Sequence, residues 1–142
     1  YLKILLVIIL KIMKIKMRKI FTILLLTFFT SAYAGGHITK AQKEQTIQCL
    51  GHYSATAVLP ADSIEVENLE MALASVKIIR EYLIKEKVKE DEMNTGMNKY
   101  VDKVYGKPFD KNMNDKCNVF IYKQIPGSKK EIEKLSRTIY AG

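Results

Sequence analysis

The sequence predicts an all-α fold, a compact bundle of four to five helices stapled by one disulfide. Apolar residues recur at three- and four-residue spacing in successive segments from residue 40 onward, which is the pattern of amphipathic helices. Strand signals are nearly absent, since there are no alternating apolar runs and no Asn-Gly or Asp-Gly turn. The two cysteines, Cys49 and Cys117, both fall within this helical part.

The positive charge is concentrated near the start of the chain. The 142 residues are 48% apolar and carry a net charge of +8. Residues 1–34 hold six basic residues and no acidic ones, which leaves 17 basic and 15 acidic residues in 35–142. That balance does not favour binding to phosphates, so we expect no nucleic-acid partner. About a hundred residues form one domain, which excludes a large enzyme with separate cofactor and substrate domains.

The N-terminal segment has the form of a secretory signal peptide. Residues 17–19 begin with Met and carry two charges, an apolar run follows at 20–29, and small residues then lead to Ala34. The run is shorter than the roughly 20 residues that span a bilayer, although an uncleaved N-terminal anchor is the alternative. We expect cleavage after Ala34, a periplasmic location and no membrane attachment after cleavage.

The domain boundaries follow from this interpretation. Residues 1–12 resemble upstream sequence translated in frame, with Met13 or Met17 as the start of translation. Residues 1–34 then comprise this upstream sequence and the signal peptide. Residues 35–142 form a single helical domain.

Capping signals mark the first helices. Thr39 and Gln42 form a capping box ahead of a helix predicted at 40–58, and Pro60 ends it. A second capping box, Asp-x-x-Glu at 62–65, precedes the strongest apolar stripe in the chain, which predicts a helix at roughly 63–87.

The second half of the chain predicts two or three more helices. Charged residues 85–92 indicate a solvated helix end and turn, and a third helix follows at 93–104 until Gly106 and Pro108 stop it. Residues 106–114 are interpreted as a loop or a frayed helix start.

The last two helices are predicted from shorter patterns. Residues 113–121 suit a fourth helix, although 119–122 alone would also suit a short strand. Pro126 and Gly127 form a turn, and the Ser-x-x-Glu capping box at 128–131 opens a closing helix.

The cysteine count favours a disulfide. An even number of cysteines in an exported domain indicates pairing, and we expect Cys49 on the first helix to bond Cys117 on the fourth. Two buried free thiols are the alternative. There is no Cys-x-x-Cys spacing, so neither a redox enzyme nor a structural zinc site is predicted.

No enzyme and no cofactor are predicted. His37 and His52 are the only histidines, and there is no nucleophile elbow and no Gly-rich phosphate loop. Cys49 and His52 have the spacing of a metal-binding pair, but a disulfide would consume the thiolate. If cleavage follows Ala34, the mature chain begins Gly35-Gly36-His37, whose amine, amides and imidazole can bind Cu(II) or Ni(II) in a square plane.

The arrangement of motifs resembles a known family. A signal peptide precedes a helical domain with one cysteine in the first helix, inside Gln-Cys-Leu-Gly-His-Tyr at 48–53. A second helix contains the small residues Ala72, Ala74 and Ser75. Tyr-Val-x-x-x-Tyr at 100–105 is followed by the second cysteine, inside Lys-Cys-Asn-Val-Phe-Ile-Tyr at 116–122. This pattern resembles the periplasmic immunity proteins that neutralise type VI secretion amidase effectors.

The resemblance implies a function and a partner. The effectors of that family are papain-like cysteine peptidases that cut peptidoglycan stem peptides. Its immunity proteins are small, helical, disulfide-bonded and usually dimeric, and they push a protruding segment into the active-site cleft of the toxin. The chain would therefore bind and inhibit a cell-wall amidase in the periplasm and form a homodimer.

The inhibitory surface is predicted at residues 106–114. An exposed aromatic residue among lysines can anchor in a cleft and pair with its acidic rim, which suggests Lys107, Phe109, Lys111 and Asn114 as toxin-binding residues. The alternative is that Phe109 is a core residue capping the fourth helix. Other functions left open are another small periplasmic helical binding protein, such as a lysozyme inhibitor or a phage exclusion factor, and copper binding through Gly35, Gly36 and His37.

Overall fold

Five α-helices make up the fold in the computed structural model, which describes residues Ile38–Ile139. They are α1 (Lys40–Ala57), α2 (Val66–Lys85), α3 (Glu90–Val104), α4 (Lys111–Gln124) and α5 (Ser128–Ser136). Helix α1 packs against α2, α3 and α4, and α5 packs against α2 and α4. Within the described range there is no strand, so the predicted all-α bundle is confirmed. The predicted signal peptide, its start at Met13 or Met17, and Gly35, Gly36 and His37 lie outside the described residues.

Helix α1 begins at the capping box that the sequence predicts. The Thr39 hydroxyl oxygen accepts from the Gln42 amide at 3.2 Å, and the Gln42 side chain accepts from the Thr39 amide at 2.9 Å. Two of the amides left open at the start of the helix are satisfied in this way. The buried face of α1 then runs through its whole second half.

Helices α2 and α3 begin at other residues than predicted. Both the amide and the hydroxyl of Ser63 donate to the Pro60 carbonyl, at 2.9 and 2.6 Å, so a turn occupies 60–63 and the predicted box at 62–65 does not form. Helix α2 starts at Val66, after Glu65, without a side-chain cap. Helix α3 starts at Glu90 because three acidic residues in its first turn suit the positive end of the helix dipole.

Helices α4 and α5 are present as predicted, although their first residues and caps differ from the prediction. The Asp110 carboxylate accepts from the Met113 amide at 2.9 Å and caps α4. Residues 111–114 are therefore helical, and the predicted loop at 106–114 is a loop only in its first part. Residues 119–122 are helical as well. In α5 the cap is Gly127, whose φ of 85° favours glycine, while Ser128 is buried and donates to the Ile121 carbonyl at 3.4 Å.

The core surrounds the predicted disulfide, which is present. Cys49 of α1 is bonded to Cys117 of α4, with Cα atoms 5.5 Å apart, and neither cysteine is a free thiol. Leu50, which follows Cys49, and Ile121, one helical turn after Cys117, are fully buried. The Tyr53 hydroxyl donates to Asn118 Oδ1 at 2.6 Å, which joins α1 to α4 a second time.

Helices α1 and α3 approach closely at two glycines. A Cβ atom on Gly51 would lie 2.7 Å from Tyr100 Cβ and 3.0 Å from the Met97 carbonyl oxygen. A Cβ atom on Gly96 would lie 2.5 Å from Ile47 Cγ2. This contact fixes Tyr100 against α1 and so positions one wall of the site described next.

Candidate functional site

A groove opens where α1 and α3 end, and we call it the His52 groove. It has a volume of about 540 Å³ and is lined by His52 and Thr56 of α1, Tyr100 and Val104 of α3, and Phe109. Residues 58–60, which leave α1, form a further wall. A volume of this size, with mostly apolar walls and a few polar groups, is typical of ligand-binding sites.

The α3–α4 linker, residues 105–110, forms one side of the groove. Tyr105 ends α3, and its amide donates to the Val101 carbonyl at 2.8 Å. Gly106 follows with a φ of 75°, a conformation that favours glycine and turns the chain away from the helix axis. The Lys107 amide then donates to the Val104 carbonyl at 2.9 Å. The turn leaves the Tyr105 side chain 80% exposed.

The Phe109 side chain is less exposed than an anchor residue would be. Its side chain is half-buried, and its ring centroid lies 6.4 Å from that of His52 with the planes 31° apart. The exposed aromatic residue of the linker is Tyr105.

The four predicted toxin-binding residues fall on two sides of Phe109. Lys107 lines the His52 groove, whereas Lys111 and Asn114 line a smaller hollow of about 330 Å³. Phe109 contributes to both. Lys111 Nζ lies 2.8 Å from the Asp115 carboxylate, so its charge is already paired within α4.

The His52 imidazole is the most unusual polar group of the site. It is 4% exposed, and its Nε2 atom is buried without a hydrogen-bond partner among the described residues. Burial lowers the pKa of His52 below its ordinary value of 6.5, although the neighbouring Asn114 side chain and the Asp110 carboxylate act in the opposite direction. The imidazole is therefore neutral near pH 7. Burial, with a smaller effect of Asp110, raises the pKa of Tyr100.

The groove contains a histidine and two hydroxyl side chains, which are residue types that catalysis uses, but no hydrogen bond joins the hydroxyls to the imidazole. The Thr56 hydroxyl donates to the His52 carbonyl at 3.0 Å, and the Ser63 hydroxyl donates to the Pro60 carbonyl at 2.6 Å. Neither hydroxyl is bonded to the imidazole, which a nucleophile and its base require. Cys49 is in the disulfide, so the Cys49 and His52 pair has no thiolate to offer a metal.

Between Ile38 and Ile139, no three His, Cys, Asp or Glu residues form a group that could hold a metal ion. None of the helices in that range has the length and apolar character needed to cross a membrane. Neither a protein-family model, nor a curated protein, nor a solved structure matches this chain. The mostly apolar walls of the groove favour binding of an apolar group.

Proposed function

We propose that the protein is an exported immunity protein that binds and inhibits a papain-like peptidoglycan amidase in the periplasm. The observation that carries the proposal is the α3–α4 linker, which presents an exposed aromatic side chain directly beside an apolar groove. A small helical domain with a disulfide between α1 and α4 is the scaffold that the family resemblance implies. Formation of a homodimer, also implied by the resemblance, belongs to the same proposal.

The linker supplies the protruding segment in this proposal. Tyr105 is 80% exposed, and Lys107 is exposed without an ion pair among the described residues. An exposed tyrosine offers large contact area at low conformational cost, and the ammonium group can pair with an acidic cleft rim. We assign Phe109 to the support of the linker, because its half-buried ring lies 6.4 Å from that of His52. The anchor of the proposal is thus Tyr105, with Lys107 beside it.

Inhibition would follow from occupation of the cleft. A papain-like peptidase attacks its peptide in an open groove between two lobes, so a protein segment seated there excludes the stem peptide. The disulfide and the buried face of α1 hold the linker in place during binding, which lowers the entropy cost of ordering it.

An inhibition assay tests the proposal. The full chain, purified as an exporting host matures it, is mixed with the purified amidase encoded by the neighbouring gene, and release of stem peptides from peptidoglycan is measured. We expect stoichiometric inhibition by the wild type and at least about tenfold weaker inhibition by Tyr105→Ala. Val119→Ala is the matched control, because Val119 is 72% exposed on α4 and does not line the groove. Full peptidase activity in the presence of excess wild-type protein would contradict the proposal.

A further inference from the structure

The buried His52 imidazole leaves one nitrogen, Nε2, without a hydrogen-bond partner among the described residues, although the ring lies within hydrogen-bond reach of the Asn114 side chain. Three aromatic rings surround the imidazole, those of Tyr53, Tyr100 and Phe109, at centroid distances of 5.5, 6.3 and 6.4 Å. None of these rings satisfies the nitrogen, which has no hydrogen-bond partner among the residues that the structure describes. A buried polar atom without a partner is rare in folded proteins and calls for an explanation, such as a ligand that completes it.

Of the three rings around His52, only that of Phe109 belongs to a residue outside the helices. Tyr53 and Tyr100 belong to helices, and the Tyr53 hydroxyl is bonded to Asn118. Phe109 belongs to the linker and separates the His52 groove from the smaller hollow beside it. Rotation of this one side chain would join the two spaces and open the imidazole edge to whatever occupies the groove.

The rim of the groove indicates the size of the occupant. Val58 is 68% exposed and Tyr105 is 80% exposed, and both line the groove. A protein segment lying across the groove would cover these two exposed side chains and fill the space between them. The rim therefore favours a protein partner whose anchor side chain enters the groove.

The chemistry of the walls indicates which side chain that is. Aromatic walls favour an aromatic ring, and the neutral imidazole nitrogen needs a group that can meet it as donor or acceptor. A phenol hydroxyl does both. We propose that a tyrosine side chain of the partner protein enters the His52 groove, displaces the Phe109 ring and forms a hydrogen bond with His52 Nε2. The identity of that partner as an amidase rests on the function proposed above.

The site can be tested without the amidase. The full-length protein, labelled with ¹⁵N in its histidines, is titrated with p-cresol, which represents the tyrosine side chain, and with toluene, which lacks the hydroxyl. We expect p-cresol to shift the His52 ring nitrogen signals and to bind about two- to tenfold more tightly than toluene, as a neutral hydrogen bond predicts. Equal affinities, or p-cresol shifts that leave His52 unchanged, would overturn the proposal.

Two variants sharpen the titration. In His52→Phe the preference for p-cresol over toluene should disappear, and His52→Gln is the second choice if the phenylalanine variant does not fold. In Phe109→Ala both probes should bind more tightly, because no ring must be displaced, with Phe109→Leu as the milder change. A folded His52→Phe protein that keeps the preference would contradict the hydrogen bond, and a folded Phe109→Ala protein with unchanged affinities would contradict the displacement.

Competition separates this inference from the proposed function. If the protein inhibits the amidase, saturating p-cresol should weaken that inhibition, and toluene, which lacks the hydroxyl, should weaken it less. Binding of p-cresol at His52 without any competition would overturn the assignment of a partner tyrosine and leave a small-molecule site. A lack of amidase inhibition at all would defeat the proposed function, while the p-cresol titration would still decide whether the His52 site exists.

Discussion

Two neighbouring regions built on the second half of α1 differ in how completely they are packed. In one, Cys49, Leu50 and Tyr53 are at most 2% exposed, and with Cys117 and Ile121 of α4 we call them the disulfide core. In the other, His52 and Thr56 border the His52 groove, where the buried His52 Nε2 atom lacks a partner among the described residues. Val58, just after the end of α1, is 68% exposed at the rim of this groove. We interpret the disulfide core as scaffold and the groove as the proposed binding surface.

The largest effect is expected from removing the disulfide. Cys49→Ala combined with Cys117→Ala opens a loop of 68 residues and should lower the free energy of unfolding by about 4 kcal/mol. Chemical denaturation of the variant, and of the wild type with and without reductant, measures this. Identical denaturation midpoints with and without reductant would contradict the scaffold role of the bond.

Truncation within each region gives the next largest effect. Ile121→Ala removes a fully buried side chain and should lower the free energy of unfolding by about 3 kcal/mol. Tyr105→Ala, in the exposed linker, should change it by less than about 0.5 kcal/mol. Urea titrations of both proteins make the comparison, and a Tyr105→Ala protein as unstable as Ile121→Ala would mean that the linker is part of the core.

A smaller effect is expected where the two regions meet. Gly51→Ala places a methyl group 2.7 Å from Tyr100 Cβ and near the Met97 carbonyl, neither of which can rotate away, so we expect a loss of about 1 kcal/mol or more. Gly96→Ala places a methyl group 2.5 Å from Cγ2 of the buried Ile47, a β-branched side chain with one favoured rotamer in a helix, and should cost a similar amount. Thermal unfolding measures both losses. Variants as stable as the wild type at both positions would contradict the close approach of α1 and α3.

The smallest effect is the pH dependence due to His52. Its pKa is lowered in the folded protein, so between that pKa and the ordinary value of 6.5 the unfolded chain binds more protons. The contribution to stability is complete above about pH 6.5 and is lost as the pH falls toward the folded pKa. The free energy of unfolding of the wild type should therefore fall more steeply over this range than that of His52→Gln. Parallel curves for the two proteins would show that His52 titrates normally.

Much of the scaffold could be predicted from the sequence, because local signals decide it. The capping box of Thr39 and Gln42 and the stop at Gly106 involve neighbours in the chain, and with only two cysteines a disulfide has one pairing. Two of the predicted capping boxes, those at 62–65 and 128–131, do not cap a helix. In the first, Ser63 bonds to Pro60 in a turn that precedes α2, and in the second, Ser128 is buried within α5, whose cap is Gly127.

The groove could be predicted only in part. The polar sequence of residues 106–114 indicates where the linker lies. The roles of Phe109 and Tyr105, however, depend on which side of the chain faces α1. The sequence presents His52 only as a candidate metal ligand or catalytic histidine, because its surroundings come from α1, α3 and the linker together. A buried atom without a partner is a property of that three-dimensional arrangement, and no spacing within one segment reports it.

In the proposed function, the partner is bound by the exposed apolar residues of the groove rim and not by other exposed apolar residues. Val58 and Val119 are the same residue type, 68% and 72% exposed, and only Val58 lines the groove. The most direct measurement is inhibition of the amidase by Val58→Asp and Val119→Asp proteins of equal thermal stability. We predict that Val58→Asp inhibits at least about tenfold more weakly than the wild type, while Val119→Asp inhibits equally well. Equal inhibition by both variants, or a loss confined to Val119→Asp, would contradict the assignment of the His52 groove as the binding surface.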